Sequence, residues 1–347
     1  MGQQTRVASR VAHAVDREVE FRRLAVEAGL GGLLYGVDFG VIAAAEPYLM
    51  ALGIYSGTKV SLVVGAVLFG GLLSSLTAGL LCDGLGRKKT IVLSAGTFLA
   101  AIPVVCLSVE SFPVLFAGRV LQGMSAGYMA VAMPMYLTET LPPEIRGRGT
   151  GVFQTFLGVG LVVAAGAGCL VASVLGAADA AGMSAAKMVS AWRANFWWTL
   201  APTAVLFAGS FKLKESPVWE ANRRTAAANA RGGVRRADGP ESSLLRRRYV
   251  VPFLLACLVL TLNKTTGMSS FTSYLVSILQ KSGFEGILAN YGQLIVKLTN
   301  VFMTIVAAAL IDRKGRTWLL KVGTGGMAVG LLAIGGVFLA IERFGVV

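Results

Sequence analysis

Nine stretches of this chain are apolar for long enough to cross a bilayer, and most of the charged residues fall between them. They run over 24–45, 60–82, 90–107, 114–136, 149–175, 196–211, 250–279, 287–311 and 318–341. A helix needs about 20 mostly apolar residues to span the hydrocarbon core. Inside that core every backbone N–H and C=O must find a partner within the segment, so runs of this length are helical. The expected class is therefore all-α and integral to a membrane. Only 14% of the 347 residues are charged, against about 25% in an ordinary soluble domain. The sixth run is short, and the polar patch NKTTGMSS interrupts the seventh.

The net charge of +14 does not point to nucleic acid. Its lysines and arginines sit in short clusters between apolar runs, as in the cytosolic loops of a membrane protein. With the leader 1–23 placed inside, only Lys59, Lys187, Arg193, Lys281 and Arg343 lie outside, and Arg119, Lys264 and Lys297 lie within runs. All the other basic residues fall on the cytosolic side, which predicts a cytosolic N-terminus. The leader is basic and has no apolar core, so it does not read as a cleavable signal.

The four cysteines lie in or beside apolar runs, no two with metal-ligand spacing, and the single histidine is His13 in the leader. No metal site is expected, and no nucleophile–base constellation marks an enzyme. No cofactor is expected.

The chain divides on composition into the leader 1–23, six runs over 24–211, a basic linker 212–249 and three runs over 250–347. The linker, rich in Arg, Ala, Gly and Ser, reads equally as basic helices lying on an anionic leaflet or as a disordered connector. An internal repeat supports the halves. GLLCDGLGRKKT (79–90) closes the second run and AALIDRKGRTWL (308–319) closes the eighth. Both read D-x-x-G-R at a cytosolic turn, and repeated halves characterise secondary transporters.

Around the first turn, Gly84 and Gly86 permit a tight reversal, and Asp83 and Arg87 can hold two helix ends together. Gly118, Gly123 and Gly127 form a small-residue seam in the fourth run, and Pro134 can loosen its end. Glu139 and Arg146 flank the next turn and are placed to complete a charge network with Asp83 and Arg87. Such a network locks one face in one state and opens in the other.

GLLYGVDFGVI, the two D-x-x-G-R turns, GRVLQG…PMYLTE…IRG and ESPVW together resemble the sugar porter family of the major facilitator superfamily. The resemblance implies a helical bundle of the major facilitator type: a complete N-terminal six-helix half, plus about three helices of the C-terminal half. The family has twelve spans, so the last three are expected to be missing. Asp312 and Arg316 in the second turn then lack their expected network partners.

Asp38 is the only charge in an otherwise apolar stretch (32–45), and an intramembrane charge normally has a partner and marks a pathway. Asp38 and Arg119 lie at similar depths, roughly 10 and 8 Å below the outer surface at 1.5 Å per residue. They are expected to pair across a central cavity. The resemblance implies proton coupling through Asp38, with a purely structural salt bridge as the alternative. It also implies sugar contacts from Gln154 and Asn300, and from the altered seventh run at Asn263, Lys264 and Ser269. Amides suit sugars because they both donate and accept. Lys264 and Lys297 leave three readings open: an anionic substrate, a degraded site, or snorkelling side chains.

The expected function is transport of a hexose, pentose or polyol by proton symport through alternating access. The alternatives are a non-transporting membrane sugar sensor or an inactive remnant. The expected partners are sugar, proton and membrane lipid; nucleic acid is not expected, and a homo-oligomer is left open. The expected location is a plasma membrane or a bacterial inner membrane.

Overall fold

Because hydrocarbon leaves no partner for an open backbone, the chain satisfies its amides locally. The computed structural model describes residues 2–142, 146–179, 182–231, 247–265, 267–284 and 286–344, with most side chains from residue 24 onward. Its described residues form thirteen helical segments and no strand. They are α1 (Gly2–Ala51), α2 (Gly57–Leu85), α3 (Arg87–Leu107), α4 (Phe112–Thr140), α5 (Arg146–Leu175), α6 (Ala185–Trp197) and α7 (Leu200–Ser210). There follow α8 (Pro217–Arg231), α9 (Arg247–Thr265), α10 (Met268–Ser273), α11 (Leu275–Lys281), α12 (Ile287–Lys314) and α13 (Arg316–Phe344). The chain forms two compact units, Met1–Leu298 and Thr299–Val347.

Four segments among the described residues are long and apolar enough to cross a membrane by length and composition: Leu24–Ala51, Gly57–Leu85, Arg87–Leu107 and Gly149–Leu175. α4 has comparable length, 29 residues, or about 43 Å of helix. In α2 the large apolar side chains Leu62, Leu68, Phe69, Leu72, Leu76 and Leu80 are exposed. An apolar face turned outward suits lipid rather than water as the surrounding solvent.

The closest helix pairs cross at glycines. A Cβ on Gly36 of α1 would sit 1.9 Å from the Leu157 carbonyl oxygen of α5, and one on Gly123 of α4 would sit 2.0 Å from the Val67 oxygen of α2. The backbones touch where a side chain would stand, so the expected seam in α4 is real packing. α4 itself runs unbroken through Pro134.

Two expected spans are broken. The sixth, 196–211, takes in only the last two residues of α6 and has α7 as its body, the helix being parted at Trp198 and Thr199. Pro202 has no N–H to return to the Trp198 carbonyl, so a continuous helix loses a bond there. The seventh is α9, α10 and α11, parted at Gly267 with φ +76° and again at Tyr274, whose φ of −105° and ψ of 15° leave the helical region. The turn between α2 and α3 rests on Gly86 at φ +103°, a conformation that favours glycine. Gly315 has φ +81° between α12 and α13, at the matching place in the repeat. Gly84 remains within α2 and is not needed for the reversal.

Candidate functional site

A charged group survives in the interior of a bundle only if the helices build a place for it. α1 carries Asp38 and α4 carries Arg119, each 1% exposed. Both line a cavity of about 170 Å³, together with Ile42, Ser61, Val64 and Tyr274. Arg119 Nη1 donates to Gln122 Oε1 at 2.6 Å, one turn along its own helix. Its guanidinium carbon lies 5.7 Å from the centre of the Phe196 ring, within cation–π range.

Neither carboxylate oxygen of Asp38 has a hydrogen-bond partner, and Arg119 Nε has none either. The expected contact ion pair is therefore not formed, since no Asp38–Arg119 approach falls within 4.0 Å. Gln122 and Phe196 hold the guanidinium instead, while the two opposite charges face one shared space.

A second cluster joins the ends of four helices. Arg87, first residue of α3, makes a two-pronged bond to Glu139 near the end of α4. Its Nε donates to Oε2 at 2.9 Å and its Nη2 to Oε1 at 2.8 Å. Parallel bonds of this kind are among the stronger polar contacts in proteins. Nη1 also donates to Asp83 Oδ1 at 3.1 Å and to the Cys82 carbonyl at 2.9 Å.

The start of α8 completes this cluster. Ser216 Oγ donates to Glu139 Oε2 at 2.5 Å. Glu215 Oε1 accepts from the amide of Lys88 at 3.0 Å, placing an anion on the N-terminus of α3, where the helix dipole favours it. Trp219 Nε1 donates to the Asp83 carbonyl at 2.8 Å. Glu215, Ser216 and Trp219 belong to the ESPVW stretch. Its signal was the resemblance carried by ESPVW just after an apolar run, but spacing alone assigns these residues no partner.

Arg146 does not join this cluster. It is exposed, and its Nε donates to the Leu141 carbonyl at 2.9 Å, five residues back. No carboxylate among the described residues, Glu139 included, lies within 4.0 Å of Arg146.

The expected sugar contacts are dispersed. Gln154 lies exposed on α5 and is not part of the Asp38 cavity lining. Asn300 lies exposed on α12, in the second unit. The side chains of Asn263, Lys264 and Ser269 lie outside the described residues, as do those of Asp312 and Arg316.

One acid escaped the sequence reading. Glu46 is buried in α1 and accepts a hydrogen bond from Ser277 of α11. It lines a larger cavity of about 1330 Å³ with Asp179, Tyr274, Ser277 and Lys281. Ser61 and Tyr274 line both cavities, so the two adjoin. The available signal was helical spacing: Glu46 follows Asp38 by eight residues, about two turns along the same face.

Comparison with known proteins places these features in a family. The family profile described as "Sugar (and other) transporter" matches residues 24–244 and 235–344. The chain is 30% identical to D-xylose-proton symporter-like 2 of Arabidopsis thaliana, over 89% of this chain and 67% of the relative. It is also 30% identical to the galactose-proton symporter of Escherichia coli, over 89% of this chain and 68% of the relative. It thus spans about two-thirds of the length of these curated relatives. Its fold superposes on the xylose transporter of Escherichia coli in a partially occluded inward open conformation. The TM-score is 0.74 at 20% identity, over 92% of this chain and 79% of that one. The chain is a multi-pass membrane protein with the all-helical major facilitator fold, and it belongs to the sugar transporter family, whose members are transporters and not enzymes.

Proposed function

We propose that this chain moves a sugar across a membrane together with a proton, by alternating access. The observation that carries the reading is Asp38, buried in α1 with both oxygens unpartnered, facing a cavity that Arg119 also lines. A carboxylate left without a bond in a bundle interior costs stability, and such groups in membrane proteins mark ion pathways. Binding a proton at Asp38 changes the cavity charge by one unit. The balance around Arg119 then differs between loaded and empty states, and that difference couples the two movements.

The Asp83–Arg87–Glu139 cluster acts as the cytosolic latch. It ties the α2–α3 turn to the ends of α4 and α8 in one state and separates in the other. Gln154 and Asn300, with Asn263, Lys264 and Ser269, are proposed to meet sugar hydroxyls. The N-terminus is proposed to be cytosolic. Three relatives are named as proton symporters for xylose, galactose and arabinose, and that agreement supports the coupling.

The test is uptake of labelled hexoses, pentoses and polyols by the full chain in sealed vesicles, with and without an inward proton gradient. Accumulation that needs the gradient and is lost in Asp38→Asn supports the reading. Saturable binding without flux in either condition replaces it with a sensor, and neither binding nor flux from folded protein with an inactive remnant.

A further inference from the structure

α12 carries its polarity on the inside. Over its first three turns Leu288, Tyr291, Ile295 and Leu298 are exposed, while Ala289, Asn290, Gln293 and Lys297 are buried. Asn290, Gln293 and Lys297 follow one another by three and four residues, so they form one stripe along the helix. A membrane helix with apolar residues toward lipid and polar residues inward lines a polar site or path.

Two members of this stripe have the character of unfilled binding groups. Gln293 is 0% exposed, and neither its amide oxygen nor its amide nitrogen has a partner. Lys297 is 2% exposed, and among the described residues no carboxylate lies within 4.0 Å of it. Lys297 stands ten residues into α12, about 15 Å from its start, near the middle of a hydrocarbon core about 30 Å thick. That is too deep for a lysine to reach headgroups by stretching its stem, and its burial removes it from lipid in any case. A buried cation needs a counter-charge, and among the described residues no carboxylate supplies one at ion-pair distance.

We infer that the Gln293–Lys297 stripe of α12 binds the carboxylate and hydroxyls of an acidic sugar, and that the transported substrate is of the uronate or aldonate class. The inference rests on the transport reading for the path it lines. Gln293 offers a donor and an acceptor to neighbouring hydroxyls, and Lys297 offers three donors and one positive charge to the acid. A single ammonium balances a single carboxylate. A sugar phosphate, at about −1.5 to −2, would bring uncompensated charge into the interior.

Purified full-length chain is compared with Lys297→Gln and Lys297→Arg by ligand-induced thermal stabilisation and by competition for vesicle uptake. The probes are D-glucuronate, D-gluconate, D-glucose and D-glucose 6-phosphate. Wild type should prefer glucuronate or gluconate over glucose by more than about tenfold. Lys297→Gln should lose that preference, weakening the acids by a larger factor than glucose, and Lys297→Arg should keep most of it. Glucose bound as well as the acids, glucose 6-phosphate bound better, or a preference unchanged in Lys297→Gln overturns the inference. The wild-type preference decides even if a variant does not fold. Acid binding through Lys297 without flux would overturn the transport reading and leave the binding site standing. Glucose accumulation without acid preference would do the reverse.

Discussion

A lone charge in an apolar run is visible in any sequence, which made Asp38 and Arg119 legible, and the D-x-x-G-R turn with its flanking acid made Asp83, Arg87 and Glu139 legible. Where a long side chain turns is not legible. Arg119 reaches Gln122 and the Phe196 ring rather than Asp38, because a flexible guanidinium chooses among neighbours that only packing brings near. Arg146 bends back on its own turn by the same freedom. Two predictions belong to this scale. Asp38→Asn should abolish gradient-driven accumulation while leaving sugar exchange between loaded vesicles within a few-fold of wild type; loss of both, from folded protein, would make Asp38 structural. Arg87→Ala and Glu139→Ala should each loosen the latch. Their double-mutant cycle should give a coupling of about 1–3 kcal/mol in denaturant unfolding, and a coupling near zero would show that the pair is not acting as one.

Helices were legible as lengths of apolar sequence, but not all of their interruptions were. Hydropathy counts side chains and does not see the N–H that Pro202 lacks or the positive φ at Gly267. The break in the seventh span was legible in the polar patch NKTTGMSS, which spans Gly267, but the second break at Tyr274 was not, nor was the separate helix α6 ahead of the sixth run. The glycine seams were half legible: spacing named Gly123, but its partner helix came only with the fold. Gly123→Leu should destabilise the bundle by about 1–3 kcal/mol or more, as overpacking does, because its Cβ position lies 2.0 Å from the Val67 oxygen. Gly79→Ala, on the same bundle with nothing within 4 Å of its Cβ position, should be neutral or slightly stabilising. Thermal unfolding in detergent reads both; equal effects would mean that the α2–α4 crossing does not depend on glycine.

For the whole molecule, the rhythm of apolar runs and basic clusters was enough for a helical membrane protein, and the motifs were enough for the family. The compact units were not legible, because their limit at Leu298 falls inside the continuous helix α12 and no composition change marks it. A cysteine-directed impermeant label should fail to reach a cysteine placed in the leader of right-side-out vesicles and should reach it once they are opened; labelling in sealed vesicles would invert the proposed orientation. The central claim, that Asp38 couples a proton to sugar, is met most directly by one comparison. Full-length chain and Asp38→Asn are placed in sealed vesicles, and labelled sugar uptake is followed with and without an inward proton gradient. Accumulation above the outside concentration by wild type only with the gradient, and by the variant in neither condition, is the predicted result. Accumulation by the variant equal to wild type, or wild-type uptake indifferent to the gradient, would contradict it.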